Sequence, residues 1–191
     1  MEHILPLYDN VKNTDTSNCC KGVIKIYKND ELIIHKQNHI VLTGRQWLMQ
    51  RMFGLAYDIN IQQHQWSPRW FALGNGGATL DSPFQPIWPT DNDIDLFSPI
   101  VFTDRLTSKY TLDGKKKLID AISYETPLTT KVTMTINNSD CVDQYINEAG
   151  LFIAPTHNQD ENTFLMFSHV TFPTIPKSIL VKLLIEWFFI F

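Results

Sequence analysis

Nothing in the 191 residues is long and apolar enough to cross a bilayer as a helix. The most apolar tract, residues 179–191, is interrupted by Lys182 and Glu186, and a spanning helix needs about 20 apolar residues. That tract reads instead as a buried strand. The first ten residues carry Glu2, His3 and Asp9 and contain Pro6, so they are expected to be neither a signal peptide nor a span. Cysteine is scarce: Cys19 and Cys20 are adjacent and Cys141 stands alone. An odd count with no secretion signal argues against a disulfide framework and for reduced thiols from a cytosolic maker. Clustered positive charge is also lacking. The net charge is −4, which argues against a grip on phosphates and sequence-specific nucleic-acid binding. The one basic run, Lys115-Lys116-Lys117, follows Asp113-Gly114 and is expected to be the solvated flank of a hairpin turn.

Signatures of site chemistry are equally thin. Gly74-Asn75-Gly76-Gly77 invites a phosphate-loop reading, but no Lys follows and Pro83 stands where a helix should grow. A tight turn needing positive φ is the better reading. Asp91, Asp93 and Asp95 alternate like the start of a calcium loop, yet the sixth and twelfth positions from Asp91 are Leu96 and Phe102, not the Gly and Glu an EF-hand needs. The acidic loop 91–95 is expected to be solvated, with an irregular calcium site as the alternative. His35 and His39 sit in a strand pattern with no carboxylate or cysteine nearby, so zinc is not expected. Ser168-His169 lacks a nucleophile elbow, and neither Cys141 nor any serine has an activating context. Glu148 with Glu125 or Asp143 could pose as a glycosidase pair. The expectation for Glu148 is structural: a turn cap, or a partner of Arg45 or another base, because buried acids are paired. No catalytic, metal or cofactor-binding residue is therefore assigned.

What is present is apolar and aromatic. Apolar residues make up 43% and charged residues 19%, a balance that favours a folded chain. Residues 1–19 read as a flexible arm, because 10–18 is too polar to bury itself. Residues 20–191 read as one β-rich domain. Gly22 to Lys28 and Leu32 to Val41 form a hairpin about the Asn29-Asp30-Glu31 turn. One helix is expected near 43–57, with Thr43 as N-cap and Gln46 completing a capping box. Leu48, Met52 and Leu55 mark its apolar stripe, expected to be core. Residues 59–66 read as a loop and Trp70 to Leu73 as a short strand. The segment 78–100, with Pro83, Pro86, Pro89 and Pro99, is expected to wrap the surface. Strands follow at Arg105 to Leu112, Lys117 to Glu125, Thr130 to Ile136, Leu151 to Ala154 and Phe164 to Phe172. In the last strand Val181, Leu183, Ile185, Trp187, Phe189 and Phe191 share one face. With Phe172, Glu148 and Gly150, the residues Trp187, Phe189 and Phe191 are the expected structural core. The fold class is mainly β: an antiparallel sandwich or partly open barrel with one helix.

Several landmarks then recur in a familiar order. Asn147-Glu148-Ala149-Gly150-Leu151-Phe152 precedes a strand. Phe167-Ser168-His169-Val170-Thr171-Phe172 follows, then Ile175-Pro176-Lys177, and the chain closes on Glu186-Trp187-Phe188-Phe189-Ile190-Phe191. Earlier, Thr43-Gly44-Arg45 opens the helix and Ala72-Leu73-Gly74-Asn75-Gly76 ends a strand. This order resembles virion structural proteins of tailed bacteriophages and covers roughly residues 22–191. The resemblance implies a small, non-enzymatic subunit of the tail, neck (collar) or baseplate, of the ring or adaptor type. It would be assembled in the host cytoplasm and localised to the virion. The expected partners are copies of itself in a symmetric ring and virion proteins such as portal, tail hub, ring or fibre proteins, with no membrane. The alternative is a receptor- or glycan-binding fibre-type module with an aromatic platform at Trp66 and Trp70. Interface candidates are Trp66, Trp70, Trp88 and Tyr8.

Overall fold

Alternating apolar residues, cut by short turn signals, dictate strands rather than helices along most of the chain. The computed structural model describes residues 20–53, 66–79, 85–102, 109–155 and 164–191. β1 (Lys21–Lys28) turns through Asn29 and Asp30 into β2 (Glu31–Ile40). Both turn residues have positive φ, 49° and 70°, the geometry that suits a two-residue hairpin to strand twist. α1 (Leu42–Phe53) follows, then β3 (Trp66–Gly74), β4 (Lys116–Leu118), β5 (Ala121–Thr126), β6 (Thr129–Ile136), β7 (Gln144–Pro155), β8 (Leu165–Lys177) and β9 (Leu183–Ile190).

These strands form a single antiparallel sheet in the order β4-β3-β7-β8-β2-β1-β9-β6-β5. It curls into a half-barrel, so its two halves face each other. Phe71 of β3 meets Trp187 of β9 with ring centroids 6.3 Å apart. Leu183, Ile185, Trp187 and Phe189 are buried at every second position of β9, which lies between β1 and β6. Trp47 of α1 packs edge-on against Phe167, which itself meets Phe189. The helix therefore covers part of the sheet's interior. A smaller cluster, including Val41, Trp70, Leu96, Phe152 and Met166, lies on the other face of β3, β7 and β8.

Several expectations need correction. The helix begins at Leu42, so Thr43 is inside its first turn. Its hydroxyl bonds Met166 O instead of capping the helix, because β8 offers a buried carbonyl that the hydroxyl can satisfy. Residues 54–57 of the expected helix lie outside the described residues, as do 105–108 of the expected Arg105 to Leu112 strand. Lys117 to Glu125 is two strands, broken at Ile119 and Asp120. The motif around Glu148 is no turn: it is the middle of β7, which pairs with β3 on one side and β8 on the other. Asn, Glu and Gly have poor strand propensity, but two flanking strands override it. The Lys run is not a solvated flank either, since Lys116 and Lys117 are buried. Phe191 is 47% exposed. It lies one residue past the end of β9 and is not core, whereas Trp187, Phe189, Phe172 and Glu148 are buried, as is Gly150.

Candidate functional site

The site grows from one buried carboxylate. β7 places Glu148 beneath residues 74–77 and 96–98, and its side chain is fully buried. An unpaired charge there would cost several kcal/mol. Its oxygens instead accept four hydrogen bonds. The N–H groups of Gly76 and Ser98 donate to Oε1 at 2.9 and 2.8 Å, and that of Phe97 donates to Oε2 at 2.9 Å. His169 Nε2 lies 3.1 Å from Oε2. Burial pushes the Glu148 carboxyl up, but the imidazole and the three backbone donors outweigh it and hold the group below the ordinary glutamate range.

His169, on β8, is also fully buried. Its second nitrogen, Nδ1, lies 2.7 Å from Asp93 Oδ2. Asp93 belongs to the proline-rich segment and accepts from the Thr90 N–H and hydroxyl at 3.0 and 2.6 Å. Burial raises Asp93, while Thr90 and His169 pull it further down, so the net shift is downward. Both ring nitrogens of His169 thus lie within hydrogen-bond distance of a carboxylate, one on each side. The ring of Phe97 lies over it, centroids 4.8 Å apart. The result is a closed carboxylate–imidazole–carboxylate chain joining β7, β8 and the segment 85–102.

More ties hold the same segment. Thr171 Oγ1 donates to Ile87 O at 2.6 Å, and Ile87 N donates to Gly77 O at 2.8 Å. Leu42 N donates to Asp91 O at 2.9 Å, and Ile100 N to Leu73 O at 2.9 Å. Asp91 accepts from His39 at 2.7 Å and is paired with Arg45. Asp95 lies 3.7 Å from Lys116 Nζ, which also sits over the Phe152 ring at 4.8 Å. The three alternating aspartates are thus not simply a solvated loop. Each reaches a different basic side chain, and among the described residues no group of His, Cys, Asp and Glu is arranged to hold a metal.

The glycines earn their places by closeness, not by backbone sign. Of the described glycines only Gly114 has positive φ, 70°, so the expected positive-φ turn at residues 74–77 is corrected. A Cβ on Gly74 would stand 2.3 Å from Glu148 Oε1, and one on Gly77 would stand 2.4 Å from Asn147 O. The glycine-rich stretch brings the Gly76 N–H onto an anion, the protein's own Glu148, while the Gly77 N–H donates to Asn147 Oδ1 at 2.7 Å.

A second buried network lies elsewhere in the structure. Lys117 Nζ bonds Asp140 Oδ2 at 3.3 Å, and Tyr110 OH donates to Asp140 Oδ1 at 3.1 Å. Burial and the Asp140 charge push the Tyr110 hydroxyl up to about 12. The same two influences push the neighbouring Cys141 thiol up to about 12, which leaves it a poor nucleophile.

The interface candidates divide. Trp70 is 3% exposed and meets Phe164 edge-on, so it is core and not a contact residue. Its burial also removes half of the aromatic platform expected at Trp66 and Trp70. Trp66 opens β3, paired with Pro155. Trp88 is 55% exposed, with Lys36 Nζ 4.6 Å from its ring centroid. Tyr8 lies outside the described residues. Sequence reasoning missed the His169–Asp93 link, because partners 76 residues apart leave no local signal. Comparisons with protein-family models, curated proteins and solved structures find no match.

Proposed function

We propose that the chain is a non-enzymatic structural subunit of a tailed-phage particle, in the tail, neck or baseplate. In this reading it docks onto copies of itself and neighbouring virion proteins through the segment 85–102. One observation carries the reading: a buried hydrogen-bonded clamp fixes a proline-rich segment that leaves several large apolar side chains exposed. Ile94 is 77% exposed, and Trp88, Phe97 and Val101 are each more than two-fifths exposed. A loop held rigid from beneath loses little entropy when it docks, and aromatic residues are favoured at interface cores. The clamp itself favours a structural role over catalysis. Both oxygens of Glu148 and both nitrogens of His169 already have partners inside the protein. A general base needs a lone pair within reach of substrate. The order of motifs that resembles tail proteins supplies the virion setting.

Mass spectrometry of purified particles of the phage encoding the chain tests this. A copy number that is a multiple of the tail's symmetry is expected. Presence in infected cells together with absence from particles would reject the proposal.

A further inference from the structure

The two edges of the half-barrel are neighbours in sequence. β4 ends at Leu118 and β5 begins at Ala121, and these strands stand at opposite ends of the sheet order. Between them Ile119 N donates to Arg69 O of β3, and Asp120 N donates to Thr133 O of β6, both at 2.9 Å. The barrel is therefore pinched shut at this corner. Beyond it β5 follows β6 and leaves β3, opening a cleft of about 370 Å³ between Ser67 and Pro68 on one side and Ala121 and Ile122 on the other.

The cleft is an incomplete piece of the core. Ile122 pairs with Val132, which pairs with Trp187, and residues paired across strands share a face. Along that row exposure runs from 0% at Trp187 and 2% at Val132 to 50% at Ile122. In the next row Phe189 is 4% exposed, and Tyr124 at its end is 83% exposed. Among the described residues β5 pairs with β6 alone, so its other edge offers backbone groups to an added strand. No Lys or Pro in β5 blunts that edge.

We propose that residues 4–8 of this same chain fill the cleft as an added strand and close the barrel. Ile4, Leu5, Leu7 and Tyr8 make this the apolar part of the 19 residues that precede Cys20. In an extended strand Leu5 and Leu7 share one face and continue the two inner rows, while Ile4, Pro6 and Tyr8 face outward. The starting point suits the reach. Lys21 pairs with Ile190, Ile190 with Thr129, and Thr129 with Thr126. The chain therefore enters β1 at the mouth of the cleft, four strand spacings from a strand added beyond β5, or about 19 Å along the sheet. The polar stretch 9–19 has 11 residues and a typical end-to-end span of about 17–20 Å. A span that matches the gap gives the tethered segment a high effective concentration. Entering from the mouth, it would run antiparallel to β3 and parallel to β5.

Disulfide trapping in the full chain tests this. Ile4→Cys, Pro6→Cys and Tyr8→Cys are each combined with Ser123→Cys, with Cys19→Ser and Cys20→Ser present throughout. At least one pair is expected to close within a single chain on mild oxidation. Cross-links that join two chains, or none from any pair, would overturn the proposal. Hydrogen exchange gives a second readout. Amides of Ala121, Ser123 and Glu125 should exchange about tenfold faster in Leu5→Lys/Leu7→Lys than in the natural chain. Equal rates would overturn it. Neither assay depends on the segment 85–102.

Discussion

Replacing Glu148 by glutamine changes one atom of the clamp from acceptor to donor. If the amide oxygen keeps the Gly76 and Ser98 bonds, the new NH₂ group faces the Phe97 N–H, two donors in opposition. That orphans a buried N–H, at about 1–3 kcal/mol, and removes a charge-assisted bond to His169 worth about 1.5–3 kcal/mol. The expected loss is about 3–5 kcal/mol. In a domain of this size that lowers Tm by roughly 10 °C. Urea unfolding followed by tryptophan fluorescence measures the loss, and hydrogen exchange at Phe97 and Ser98 localises it. The pH dependence supplies a sign. The folded Glu148 carboxyl sits below its unfolded value, which is about 4.3. Its stabilisation is therefore complete above that value and fades as pH falls through the folded one. Glutamine has no proton to gain, so the gap between the two proteins should be widest near neutral pH and narrow in acid. A loss under about 1 kcal/mol at pH 7, with Phe97 and Ser98 amides still protected, would refute the clamp.

Trp187→Ala should cost about 3–5 kcal/mol, as for other buried large aromatics, while Phe191→Ala should cost under about 1 kcal/mol, since Phe191 is half-exposed. Equal losses in urea unfolding would contradict the boundary of β9. Asp140→Ala strands the buried Lys117 and should cost about 3–5 kcal/mol, read in the same assay. Removing both partners with Lys117→Met/Asp140→Leu should recover much of that loss. Cys141, with its thiol pushed up to about 12 and its side chain buried, should resist iodoacetamide at pH 8 until the chain unfolds. Peptide mapping that finds it alkylated in the native protein would contradict this.

Strands with clean alternation were legible from their residues. β1, β2 and β6 lie within about a residue of where Ile24 and Ile26, the Asn29-Asp30 turn, and Val132 and Met134 put them, while β9 begins two residues after Val181. The two central strands were harder. β7 is buried on both faces and carries Asn147, Glu148 and Gly150, residues that read as a turn because their strand compatibility comes from β3 and β8. The clamp was half legible. Glu148 was expected to be paired and structural, but its main partners are three backbone amides and a histidine brought in by β8. Sequence carries no local mark of such long-range pairing. Lys116 and Lys117 looked solvated because charge normally is. What buries them is a tertiary supply of acids and aromatic faces, Asp95, Asp140, Phe152 and Tyr110.

Hydroxyl-radical footprinting of Trp88 tests the docking surface most directly, comparing the isolated subunit with the subunit inside intact particles. Its half-exposed indole should oxidise readily in the isolated chain and at least several-fold more slowly in the particle. Equal oxidation in both settings would contradict the claim that the clamped segment is where this protein meets its neighbours.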